Sequence, residues 1–199
     1  MQIYDIFQEL FGCAVFPGDP APRREILSEI AAGAACNLTA FSMCAHNGTH
    51  IDAPFHFLHD GKTIEQIPLT KLVGPAFVAA HTGTLTADDA AAILSRACRH
   101  APEAVRRILI KGKAVVSLEA AEVFAKAKID LLGNESQTVG PETAPMAVHR
   151  LLLGREIVLL EGIRLQEVPE GVYLLSAAPL SLTGADGSPC RAILLDMQA

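Results

Sequence analysis

The segment Cys44-Ala45-His46-Asn47-Gly48-Thr49-His50-Ile51-Asp52-Ala53-Pro54-Phe55-His56-Phe57 gathers three histidines and one carboxylate. Gly48 and Pro54 argue against a helix through it. An extended chain turns successive side chains to opposite faces, so His46, His50, Asp52 and His56, all even-numbered, would point the same way. Four such groups on one face of an apolar strand are costly to bury unless something binds them. Neutral imidazole nitrogens and carboxylate oxygens are ordinary zinc ligands, which makes a divalent metal the natural partner. An HxxxH pair alone arises often by chance. The Asp two residues on, and the further His four after that, give this one its weight. Cys44 shares the parity and could supply a thiolate, although packing beneath the site is the simpler role. Phe55 and Phe57 have the opposite parity and are expected in the core. His59, next to Asp60-Gly61, is a rival ligand that reads better as loop surface, and His81 and His100 carry no signal.

Elements on both sides must hold this segment in place. Ile3 to Phe7 reads as a first strand, and Phe16-Pro17-Gly18-Asp19-Pro20 as a loop rich in turn residues. Leu38 to Met43 looks extended, and Gly74 to Ala80 is a strand rich in Val, Phe and Ala. Thr86 caps a helix that begins with two acids and runs to about Arg99. Arg107 to Ile110 is a short strand, and Ser117 caps a second helix through Phe124. Ile129 to Leu132 is a further strand. Pro145 suits a first helical turn and Gly154 the residue just past that helix. Ile157 to Leu160, Val172 to Leu175 and Ala192 to Leu195 complete the strands. Strands and helices mingle without strict alternation, so the class is α/β or α+β with a mixed sheet.

Composition removes other classes of function. The 199 residues fit one domain, 1–199. Half are apolar and 19% are charged, unlike a disordered chain. A net charge of −6 argues against nucleic acid as partner, since that binding needs Lys and Arg. Eight Phe, two Tyr and no Trp leave little for base stacking. No apolar run approaches a membrane span, and Met1 to Asp5 lacks a signal peptide's basic start, so a cytoplasmic protein is expected. Five Cys without a CxxC pair read as reduced thiols.

The run His46-x-Gly48-Thr49-His50-x-Asp52-x-Pro54-x-His56 resembles the HxGTHxDxPxH signature of the cyclase family of metal-dependent hydrolases, which includes bacterial kynurenine formamidases and isatin hydrolases. Ile3-Tyr4-Asp5-Ile6, Phe16-Pro17-Gly18-Asp19, Asp60-Gly61, Ile67-Pro68-Leu69 and Ala185-Asp186-Gly187-Ser188-Pro189-Cys190-Arg191-Ala192 extend the likeness over nearly the whole chain. The resemblance implies a swivelling β/β/α fold, a mixed or barrel-like sheet flanked by helices, and a homodimer or larger homo-oligomer. It implies two divalent metals, usually zinc with manganese in some members. His46, His50 and Asp52 would bind one, and Asp52 would bridge to a second held by His149 and Glu161. His56 would be the general acid/base. His149 lies in the apolar helix after Pro145, and Glu161 closes an apolar strand, where a carboxylate needs a partner unless that strand end lies at the surface.

The implied reaction is hydrolysis of a small-molecule amide, with aryl formamides such as N-formylkynurenine as first expectation. Phe16 stands where the formamidases commonly carry a tryptophan. The segment Gly133 to Pro141 also departs from the family's usual one, so specificity is open. A cyclic amide or lactone, as for isatin hydrolase, needs the same metals and base. A non-catalytic metal-binding protein is the remaining alternative, and retention of His56 argues against it.

Overall fold

In the computed structural model, which describes residues 1–197, one nine-stranded sheet runs through the whole chain. Its strand order is Gln2–Asp5, Ile193–Asp196, Gly171–Ser176, Val73–Ala80, Arg107–Lys111, Leu131–Asn134, Val158–Glu161, His50–Asp52 and Gly187–Pro189. From Val73–Ala80 to Val158–Glu161 the neighbours are parallel; every other pairing within this sheet is antiparallel. The sheet is therefore mixed, as the sequence indicated.

Strand alternation divides the interior in two. Phe77, Ala79, Ile108, Ile110, Leu132 and Leu159 face helices Ala87–His100, Leu118–Ala127 and Met146–Gly154. Val78, Leu109, Leu131, Val158 and Leu160 face the other way, where the curled sheet edges bring Ile6, Ile51, Leu175 and Leu194 against them. The central strands are thus covered on both sides, which is why they read as unbroken apolar runs.

Local sequence accounts for the helix starts. Thr86 accepts from the Asp89 backbone N–H, and Asp89 accepts from that of Thr86, closing a capping box. Ser117 Oγ accepts from Ala120 N at 3.1 Å. Pro145 caps Met146–Gly154, but Gly154 is that helix's last residue rather than the one beyond it. Also unforeseen is the strand Arg23–Ser28, which pairs with Leu38–Ser42 into a two-stranded ribbon apart from the main sheet. Its side chains are mostly exposed, so burial leaves no alternating pattern to read. Among the described residues no helix is long and apolar enough to cross a membrane.

Candidate metal centre

The strand at the heart of the motif is only His50–Asp52. It pairs antiparallel with Val158–Glu161 in a register that sets His50 opposite Glu161 and Asp52 opposite Leu159. Ile51 points into the core, while His50 and Asp52 share the other face, as the parity argument requires. That argument fails on either side of the strand. Residues 45–49 form turns, and Pro54–His56 is a single 3-10 turn. His46 and His56 reach the same place through those turns.

Glycines make the approach possible. Gly48 sits at φ 63°, where a Cβ would also meet the Cys13 side chain at 2.8 Å. On the strand beyond Asp52, a Cβ on Gly187 would lie 2.6 Å from His46 Cε1, so the imidazole rests on bare backbone. Thr49 pins the loop from inside by donating to the Gly162 carbonyl at 2.8 Å and accepting from Gln8 N at 3.0 Å.

Five predicted residues converge. His46 Nδ1 is 2.9 Å and His50 Nε2 3.3 Å from Asp52 Oδ1. His149 Nε2 lies 3.7 Å from Asp52 Oδ2 and 3.1 Å from Glu161 Oε1, and Glu161 Oε2 is 3.6 Å from His50 Nε2. His50, Asp52, His149 and Glu161 are all buried. His50 Nδ1 is 3.0 Å from the Gly48 carbonyl and His149 Nδ1 2.9 Å from that of Pro145. A carbonyl only accepts, so each Nδ1 carries the hydrogen. A neutral ring would then aim its Nε2 lone pair at a carboxylate, an arrangement that needs a positive charge between them. Asp52 Oδ2 is buried and has no hydrogen-bond partner among the described residues. The donor set therefore fits divalent cations at two triplets that share Asp52: His46, His50, Asp52 and Asp52, His149, Glu161.

The titration behaviour expresses the same packing. Burial works against a charged His46, but hydrogen bonds to Asp186 and Asp52 prevail and push its pKa up to about 11. Burial would raise Asp52; hydrogen bonds from His46 and His50 outweigh it and hold the carboxyl well below its usual range. Glu161 is pushed up by burial and by the nearby Asp52 charge.

Above the triplets opens a cavity of about 370 Å³. Phe16 lines it, as the aromatic wall expected there. Phe57 lines it too, contrary to expectation: its ring centroid is 4.5 Å from that of His56 and 4.7 Å from that of His149. The Pro54–His56 turn breaks the alternation, so Phe57 packs against the helix-side core as expected but also faces the cavity, while Phe55, expected in the core, is exposed. Cys44 and Asp19 stand at the wall, with Sγ 3.8 Å from Asp19 Oδ2. His59 is on the surface.

His56 lines the cavity as well, its ring stacked on His46 at 3.9 Å between centroids. Both rings meet Asp186 Oδ2, His46 through Nε2 at 2.8 Å and His56 through Nδ1 at 3.1 Å. These three residues also lie close enough together to share an ion. Asp186 belongs to the closing segment of the family likeness, where residue type and spacing alone give it no part in the site. Its only signal was an acid followed by glycine far along the chain.

Similarity to known proteins agrees with this geometry. A kynurenine formamidase of Paracidovorax citrulli is 33% identical over 198 residues, covering 92% of this chain and 91% of that protein. A structure described as a potential metal-dependent hydrolase with cyclase activity superposes with a TM-score of 0.81 at 28% identity, over 100% of this chain and 99% of the other. Isatin hydrolase A of Ralstonia solanacearum shares the fold, with a TM-score of 0.82 at 22% identity over 98% of this chain and 92% of that one. The putative cyclase family matches residues 4–141, which take in the whole histidine motif, and the chain belongs to that family.

Proposed function

We propose that this enzyme hydrolyses an aryl formamide of the N-formylkynurenine type at a binuclear metal centre. At the coarser level, it is a metal-dependent hydrolase of C–N bonds other than peptide bonds. In this reading His46, His50 and Asp52 hold one divalent cation, zinc or manganese. Asp52, His149 and Glu161 hold the second, with Asp52 bridging. Asp52 carries the proposal: its two oxygens face two different sets of candidate ligands, and among the described residues the buried Oδ2 has no hydrogen-bond partner. When bound, such a pair lowers the pKa of a water and polarises a carbonyl oxygen.

The chain's own residues supply the rest. His56 is about one-quarter exposed and lines the cavity, where it can take a proton from the attacking water and return it to the leaving nitrogen. Its Nδ1 is engaged by Asp186, which leaves Nε2 for that traffic. Phe16 and Phe57 offer flat apolar walls to an aryl ring. The formamide expectation also draws on the named activity of the 33%-identical relative.

The same reading takes 1–199 as one domain of a cytoplasmic homo-oligomer. A single sheet spanning Gln2 to Asp196 supports the first point, and five free cysteines fit a reducing compartment. The deciding experiment loads the protein with zinc or manganese and screens formamides, cyclic amides and lactones. Release of formate from N-formylkynurenine at the highest kcat/KM is expected. Preference for ring opening would move the assignment to cyclic amides, and a metal-replete protein inert to all three would reduce it to a metal-binding protein.

A further inference from the structure

Asp186 stands at the turn into the strand Gly187–Pro189 and is tied to His56 by backbone as well as side chain. Ala53 N donates to the Asp186 carbonyl at 2.9 Å, and His56 N donates to the Ala53 carbonyl at 2.9 Å. The carboxylate and the imidazole are thus held through one shared residue. The Asp186 side chain is 42% exposed, so the core does not depend on it. Its Oδ2 nevertheless meets His56 Nδ1 at 3.1 Å and His46 Nε2 at 2.8 Å. Among the described residues, no protein group bonds His56 Nε2.

We propose that Asp186 is a positioning residue for proton transfer, holding His56 in the tautomer with hydrogen on Nδ1 so that Nε2 is the nitrogen presented to the reaction. The inference rests on the reading of this chain as an amide hydrolase with His56 as its proton carrier. A carboxylate can only accept from Nδ1–H, so it selects that tautomer and fixes the ring plane. Nε2 then has a lone pair for a proton from water as the new C–O bond forms. It returns that proton to nitrogen as the C–N bond breaks, so water is added across the amide with no redox change. In the other tautomer Nε2 would already carry hydrogen and could not accept one.

The test compares Asp186→Asn, His56→Ala and the double variant, each loaded with zinc. Asp186→Asn is expected to lower kcat by about 10–100-fold, with KM and metal content close to the parent. In the His56→Ala background the same change should cost about twofold or less, because the partner through which it acts is gone. Nitrogen-15 spectra of histidine-labelled protein give a readout independent of turnover. His56, assigned by its loss in His56→Ala, should show the Nδ1–H tautomer in the parent and lose it in Asp186→Asn. Asp186→Ser serves if the Asn variant does not fold. Additive losses in the double variant, a fall in metal per chain, or an unchanged His56 tautomer would each overturn the proposal. If the parent hydrolyses no substrate, the functional reading fails while the spectra still decide the tautomer.

Discussion

Asp52 sits where the two candidate triplets meet, and among the described residues its buried Oδ2 has no hydrogen-bond partner. Replacing it with Asn removes the charge and leaves an amide that bridges poorly. Asp52→Asn should therefore lose more metal than His46→Ala or His149→Ala, each of which, in the proposed centre, would strip one ligand from one ion. Elemental analysis checks this, and normal loading of Asp52→Asn would exclude a bridge. The hydrogen bonds from Asp186 and Asp52 that push His46 up to about 11 also bear on pH. A cation entering the triplet must displace that proton, so loading at pH 7 should release acid and affinity should rise with pH. Because the folded pKa of His46 lies above 6.5, its stabilising contribution is complete below about pH 6.5 and is lost as pH climbs through about 11. The chelated protein should melt lower as pH is raised across that window, and the loaded protein should not. Residue types and spacing already pointed to His46, His50, Asp52 and His56, and the family likeness added His149 and Glu161. What orients them was not legible. The acceptors for His50 and His149 are the Gly48 and Pro145 carbonyls, and backbone groups leave no trace in a list of side chains.

At the scale of elements, legibility followed burial and caps. Thr86 and Ser117 marked their helices correctly because side-chain caps are local chemistry. The central strands were visible because both faces are covered. The motif itself was read as one long extended run, whereas only His50–Asp52 is strand, flanked by turns that Gly48 and Pro54 permit. For that reason Phe57 reaches the cavity as well as the core. The close packing of the strand Gly187–Pro189 beneath His46 yields another test. A methyl at Gly187 would stand 2.6 Å from His46 Cε1 and 2.8 Å from the Ile51 carbonyl, so the imidazole must move. Gly187→Ala should keep the fold but weaken metal binding by about 10-fold or more, as for other disturbances of ligand orientation. Equilibrium dialysis against zinc measures it, and parental affinity would show that His46 does not depend on this seat.

At the scale of the whole molecule, one feature stands apart from the main sheet, steadied on one side by Phe11 against Phe41 and Arg24. The ribbon of Arg23–Ser28 and Leu38–Ser42 leaves the main sheet, and its strands contact chiefly each other. An isolated two-stranded ribbon is marginal in water. This one also leaves Ile26, Leu27, Leu38 and Phe41 each more than half exposed, at 53%, 52%, 51% and 56%. Apolar groups gathered on one projection mark a contact surface. The ribbon follows Phe16 and Asp19 and precedes Cys44, three residues that line the cavity, so a partner packed on it would also steady the mouth of the site. A second copy of the chain is the partner that the oligomer expectation supplies. Light scattering at micromolar concentration should therefore give a mass of at least two chains. Ile26→Lys combined with Phe41→Lys should shift it toward one chain and lower kcat/KM without removing metal, since no ligand is touched. A parent protein that is monomeric under these conditions would overturn the oligomer expectation, and a charged ribbon that still assembles would place the contact elsewhere on the molecule.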